Sequence, residues 1–176
     1  MLAIIPEYEV FFFDESRFGT HSKAGCGWFR TGSRTIVKKK LGFKNFYLYT
    51  AVSPKTGAEF TLLMPYVNTE TLNMYLYEMS SWLGHRKKAC IIMDQAGWHK
   101  ANQLCIPYNI KIIYLPPYSP QLNPVERLWQ HIKDNTIKNA IYDNLTDLEI
   151  SVSDFIKTIT PDIIRSVCNV TYMPYY

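Results

Sequence analysis

The sequence predicts an α/β domain built on a mixed five-stranded sheet with helices on both faces. Three observations predict it. The apolar runs at 10–13 and 89–93 lack the alternation of a half-exposed strand, so they read as strands covered on both sides. Two β-rich runs flank Ser53-Pro54-Lys55-Thr56-Gly57, the turn chemistry of a hairpin. From Thr69 onward helical periods alternate with short apolar runs, the pattern of parallel strand pairing.

In order, residues 9–14 read as a buried strand and 16–25, rich in Ser, Gly, Thr, His and Lys, as a loop. Residues 26–30 and 34–38 read as short strands around Thr31-Gly32-Ser33, and 45–52 with 58–64 as the hairpin. Leu72, Tyr75, Leu76, Met79 and Leu83 recur at helical spacing, with Thr69 as the expected N-cap and Gly84 closing the helix. Residues 89–94 form the next strand, 98–105 a short helix ending near Pro107, and 110–115 another strand. Pro124 opens a helix to about Lys138, with Asn123 as its expected cap. Residues 145–158 and 161–169 give two more helices. With no repeat, low-complexity stretch or linker, 176 residues are expected to form one domain over 1–176.

Composition narrows the function classes. A hydrophobic content of 47% and an aromatic content of 15% exclude a disordered chain. The net charge of +4 is compatible with a polyanionic partner. Cys26, Cys90, Cys105 and Cys168 form no C-x-x-C pair, which argues against a zinc site and fits a reducing compartment. No run approaches the ~20 apolar residues of a membrane helix, and the N-terminus lacks the marks of a signal peptide. No membrane partner is expected, and the expected location is cytoplasmic.

Three acids stand in distinctive settings. Asp14 ends the run Val10-Phe11-Phe12-Phe13, and Asp94 ends Ala89-Cys90-Ile91-Ile92-Met93. Glu126 lies in the first turn of a helix, after a Pro-rich loop. Each has a plainer explanation alone. Asp14 can terminate a strand, Asp94 can cap the next helix, and Glu126 at N3 can close a capping box with Asn123. Glu15 points to the other face from Asp14 if the strand continues. Together, acids at the carboxyl ends of parallel neighbours and at a facing helix start can gather at a sheet edge. Gathered carboxylates suit Mg²⁺ or Mn²⁺, and a metal pair suits phosphoryl transfer.

Three segments carry a family signature. They are Phe12-Phe13-Asp14-Glu15-Ser16, Ile92-Met93-Asp94-Gln95-Ala96-Gly97-Trp98-His99-Lys100, and the stretch from Leu115-Pro116-Pro117-Tyr118-Ser119-Pro120 through Gln121-Leu122-Asn123-Pro124-Val125-Glu126-Arg127-Leu128-Trp129. They resemble the DDE transposases of the Tc–mariner superfamily, in its bacterial insertion-sequence branch. The resemblance spans roughly residues 9–138 and implies a ribonuclease-H-like fold. It implies that Asp14, Asp94 and Glu126 are the catalytic, metal-binding triad holding two Mg²⁺ or Mn²⁺ ions. It further implies hydrolysis of a phosphodiester at a transposon end, then attack of the freed 3′-OH on target DNA at TA dinucleotides. Paired ends imply at least a homodimer when DNA is bound. Gln95 stands where the family commonly has Asn. The 31 residues between Asp94 and Glu126 (positions 95–125) are a few short of the usual spacing, and the shortfall is expected in a brief helix after Asp94. The family's N-terminal helix-turn-helix region is expected to be absent.

Expected DNA contacts are Lys23, Arg30, Arg34, His99, Lys100, Arg127 and Lys133, with Lys38, Lys39 and Lys40 adding basic charge and Lys138 on the Glu126 helix. Trp28 and Trp129 read more simply as core or hairpin aromatics. His99 can touch a phosphate or orient a carboxylate. The 16–25 loop is a candidate subunit contact. Two other functions remain open: a transposase-derived module without catalysis, and a host nuclease of the same fold.

Overall fold

The computed structural model describes residues 7–20, 44–138 and 140–172. The short strands expected at 26–30 and 34–38, together with Lys23, Trp28, Arg30, Arg34, Lys38, Lys39 and Lys40, lie outside the described residues.

Among the described residues, five strands form one mixed sheet. They are β1 (Glu9–Gly19), β2 (Asn45–Val52), β3 (Glu59–Met64), β4 (Ala89–Met93) and β5 (Ile110–Tyr114), in the order β3-β2-β1-β4-β5. β1, β2 and β3 pair antiparallel, while β4 and β5 run parallel to β1. The helices are α1 (Thr69–Leu83), α2 (Val125–Thr136), α3 (Leu145–Lys157) and α4 (Pro161–Val167). Strand alternation sends Phe11 and Phe13 to the face under α1, and Val10, Phe12 and Phe18 to the face under α2, α3 and α4. Each face has its own apolar cluster, so the central strand is covered on both sides as its unbroken apolar run predicts. Among the described residues no helix is long and apolar enough to cross a membrane.

Four expectations are corrected. β1 does not stop at Asp14 but continues to Gly19, so residues 16–19 are strand, with Ser16 and Phe18 buried, rather than the start of a subunit-contact loop. Pairing with β2 carries the strand on, through the register Asp14↔Thr50 to Gly19↔Asn45. The α1 cap is Asn68, one residue before Thr69. Its Oδ1 accepts from the Thr71 N–H at 2.8 Å while Thr71 Oγ1 accepts from the Asn68 N–H at 3.2 Å, a complete capping box. The helix expected over 98–105 is a single 3₁₀ turn, Gly97–His99. The shortened interval before Glu126 thus holds no α-helix. Fourth, Asn123 does not cap the helix that carries Glu126, as described below.

The β2–β3 turn docks on the start of α4. Gly57 has φ +77°, and a Cβ built there would lie 2.3 Å from the Pro161 carbonyl oxygen. Only glycine combines that dihedral with that approach. Arg165 ties the same corner, donating to the Thr56 carbonyl at 2.9 Å. Gly57→Ala is expected to destabilise the chain by about 2–3 kcal/mol, seen as a lower urea midpoint with an unchanged slope; a midpoint equal to the wild type's would refute this packing.

Candidate active site

The last β1–β4 pair is Phe12↔Ile92. Beyond it β4 ends and β1 goes on alone with β2, leaving a notch at the carboxyl end of the parallel pair. The loop after β5 closes the notch into a cleft of about 460 Å³. Asp14, Asp94 and Glu126 all line it, together with Gln95, Asn123 and the 116–120 loop. Among the described residues no Lys or Arg lines it. The three acids that are far apart in the chain therefore share one concave site.

Asp14 lies on the α2 face of β1. Its Oδ2 accepts from the Trp129 indole N–H at 2.8 Å, so α2 fixes the carboxylate's direction. The side chain is only partly covered by area, yet burial of the carboxyl pushes its pKa up to about 7. The charges of Glu15 and Glu126 add to the rise, and the Trp129 hydrogen bond opposes it. A carboxyl so placed among like charges favours its neutral form until a cation is brought to it.

Asp94 follows β4 directly. Its Oδ1 accepts from the Ala96 N–H at 3.0 Å and contacts His99 Nδ1 at 2.7 Å. His99 is 1% exposed, and its Nε2 meets Glu15 Oε1 at 2.9 Å. Trp98 Nε1 also donates to Glu15 Oε1, at 3.1 Å. Burial alone would lower the His99 pKa, but the Glu15 hydrogen bond and the charges of Glu15 and Asp94 outweigh it and raise it. Nδ1 also hydrogen-bonds the Asp94 backbone carbonyl at 3.2 Å, so the ring is held from both sides. The two roles expected of His99 are a phosphate contact and the orientation of a carboxylate; in the structure the ring is buried and faces Glu15 and Asp94.

Glu126 begins α2, and its competing structural role is absent. Asn123 Nδ2 donates to the Phe13 carbonyl at 2.9 Å, just where β4 has stopped pairing, and its Oδ1 accepts from the Val125 N–H at 3.2 Å. No side chain caps α2, and Glu126 accepts no hydrogen bond from the described residues. The capping box expected here does not form: Asn123 Oδ1 takes the Val125 N–H rather than that of Glu126, and the Asn123 N–H that Glu126 would accept donates instead to the Pro120 carbonyl at 2.8 Å. Glu126 is left exposed at the cleft.

The remaining expected contacts are placed as follows. Arg127 donates to the backbone carbonyls of Val167 and Asn169, which joins α2 to the end of α4. Lys133 donates to Ser16 Oγ at 2.7 Å and lies 5.3 Å from the Phe18 ring centroid, bracing β1 against α2. Lys100 bonds Gln95 Oε1 and sits over the Tyr114 ring. Each of these cations is engaged by the protein's own groups, Lys100 through the cleft-lining Gln95, and Lys138 pairs with Asp134 at 3.9 Å. Sequence reasoning passed over Trp129, Asn123 and Glu15 as functional neighbours. A buried Trp needs a partner for its N–H, and that was the available signal for the first.

The donor set is three carboxylates, the hard oxygen ligands that Mg²⁺ and Mn²⁺ take. Hydrogen bonds occupy Oδ2 of Asp14 and Oδ1 of Asp94. Among the described residues no three His, Cys, Asp or Glu side chains stand close enough to form a ready-made metal-binding group. The acids share the cleft without yet converging on a point.

The chain as a whole is similar to known proteins. The family profile described as DDE superfamily endonuclease matches residues 9–149. The uncharacterized protein y4pE/y4sA of Sinorhizobium fredii is 40% identical over 102 residues, 58% of this chain and 76% of that protein. The 39 kDa protein of insertion element IS630 from Shigella sonnei is 28% identical over 159 residues, 88% of this chain and 46% of the relative. The Tc3 transposase of Caenorhabditis elegans is 26% identical over 170 residues, 90% of this chain and 52% of the relative. In structure, a Mos1 transposase paired-end complex with its left transposon end superposes with a TM-score of 0.71 at 15% identity, over 92% of this chain and 52% of that one. That likeness concerns the fold, which is the ribonuclease-H-like architecture expected. The chain spans about half the length of the IS630, Tc3 and Mos1 proteins.

Proposed function

We propose, from the premise that this chain belongs to the DDE superfamily of endonucleases in its Tc–mariner transposase type, that it is the catalytic portion of a transposase, cutting DNA and joining a 3′-OH to target DNA. The observation that carries the reading is the common cleft of Asp14, Asp94 and Glu126, set at the carboxyl end of parallel strands. Asp14 and Asp94 would hold two Mg²⁺ or Mn²⁺ ions between them, and Glu126 would hold one of the two. Bound divalent ions supply polarisation of the phosphodiester and activation of the attacking oxygen. The chain's own residues do the rest. Trp129 aims Asp14, the 3₁₀ turn seats Asp94, and the proline-rich loop walls the cleft. The partner is DNA, both transposon ends and target, and two copies of the chain are needed to pair two ends.

Strand cleavage on end-sequence duplex with Mn²⁺ tests this. Asp94→Asn and Glu126→Gln are expected to lose about 10²–10³-fold in rate, as when an electrostatic stabiliser of a transition state is removed, while binding DNA as the wild type does. Cleavage that survives Asp94→Asn removes the mechanism.

The separation of the acids favours a second reading, a transposase-derived module without catalysis. Under it, the thermal midpoint would ignore millimolar Mg²⁺ and Mn²⁺.

A further inference from the structure

Glu15 and Asp94 are both acids, yet one is buried on the α1 face of β1 and the other ends β4 at the cleft. A single buried imidazole spans them. We propose that Glu15 and His99 are positioning residues that hold Asp94 in the orientation needed to bind a divalent cation, an inference that rests on the catalytic reading above.

The geometry is specific. Glu15 is 6% exposed and His99 1%, whereas Asp94 is 59% exposed. An exposed aspartate after a strand would normally sample several rotamers. Here Oδ1 accepts from the Ala96 N–H at 3.0 Å and lies 2.7 Å from His99 Nδ1, whose hydrogen bond goes to the Asp94 carbonyl at 3.2 Å, so the imidazole holds both the backbone and one carboxylate oxygen of Asp94. His99 cannot shift in turn. Its Nε2 is fixed on Glu15 at 2.9 Å, its ring lies edge-on to Phe13 at 5.9 Å, and the Tyr114 hydroxyl donates to its carbonyl. Glu15 is itself clamped by Trp98 Nε1. The Trp98 carbonyl accepts from Thr69 Oγ1 at 3.3 Å, which links the turn to the start of α1. Burying a glutamate is costly unless it is hydrogen-bonded. Its placement here is explained by the imidazole it anchors.

A carboxylate–histidine pair behind a ligand typically changes metal affinity by 10–100-fold when broken. The test is Mn²⁺ titration calorimetry on the wild type, Glu15→Leu and Glu15→Gln. Leu removes the acceptor, and a loss of Mn²⁺ affinity of at least tenfold is expected. Gln keeps an acceptor oxygen for both His99 and Trp98 and is expected to stay within threefold of the wild type. A purely packing role for Glu15 would lower thermal stability in Glu15→Leu without moving the Mn²⁺ constant, and that result overturns the proposal. If Glu15→Leu does not fold, His99→Asn takes its place, since its amide can reach one of the two acids but not both. Wild-type affinity in that variant overturns the proposal as well. A wild type that takes up no Mn²⁺ overturns the catalytic reading and this one together, whereas equal binding by wild type and variants overturns only the positioning.

Discussion

Asp14→Asn is expected to abolish cleavage and yet to raise the melting temperature of the metal-free protein by about 5 °C at pH 8. Both effects have one cause. Asp14 sits in a buried position beside Glu15 and Glu126, with its pKa raised from 3.8 to about 7. In the unfolded chain the carboxyl releases its proton near 3.8, and in the folded chain near 7. Between those values the folded state holds the extra proton, so stability falls as pH rises through the interval. The group's contribution is fully present below about pH 4 and is lost once pH exceeds about 7. Each pKa unit is about 1.4 kcal/mol, and partial solvent access discounts the total to about 2 kcal/mol at pH 8. For a chain of this size that is about 5 °C. An asparagine keeps an acceptor for Trp129 and carries no charge, so it escapes the penalty. The advantage should vanish at pH 4. Millimolar Mn²⁺ should raise the wild-type midpoint and leave the variant's unchanged. Equal melting at pH 8, or cleavage retained by the variant, would sink the account. A residue that weakens the fold it belongs to is what a functional site, rather than a structural one, requires.

Phe13→Ala is expected to have the largest effect on the fold, a loss of about 3–5 kcal/mol, or roughly 10–15 °C. Phe13 is fully buried on the α1 face, with its ring 4.9 Å from Tyr75, 5.9 Å from Tyr49 and 5.9 Å from His99. Truncation leaves a cavity in the middle of an aromatic cluster that cannot collapse, because the Tyr49 and Tyr75 hydroxyls are each hydrogen-bonded. The same cavity lies against the imidazole that steadies Asp94. Mn²⁺ affinity should therefore drop along with stability, whereas an equally buried residue on the opposite face, such as Leu148, should cost stability alone. Unfolding followed by urea and binding followed by calorimetry separate the two. A stability loss under 1 kcal/mol would contradict the packing described.

Much of this was legible in the chain. Unbroken apolar runs give β1 and β4, because a strand covered on both faces needs no polar alternation. The three acids were legible because each interrupts a strong local pattern. What was missed depends on partners distant in sequence. Strand β1 outlasts its apolar run because β2 supplies hydrogen bonds through Gly19↔Asn45, which residue type does not encode. Asn123 reads as one half of a capping box by local rules, but its backbone N–H goes to the Pro120 carbonyl and its Nδ2 ties it to the Phe13 carbonyl, 110 residues earlier, so the box does not close. Glu15 was correctly sent to the far face. Its importance was hidden because the 3₁₀ turn after Asp94 carries His99 beneath the sheet edge to meet it.

The overrun of β1 past β4 has a mechanical consequence. Seven residues beyond the last β1–β4 pair, at about 3.3 Å each, make a strand overhang of roughly 23 Å. It is stiffened from one side by α2, through Ser16 with Lys133 and Phe18 with Trp129. Such a beam transmits force without bending, so a load applied near Gly19 is felt as torque at Asp14. Cross-linking its tip to a surface should therefore perturb chemistry in the cleft, while the same tether at the outer face of α3 should not.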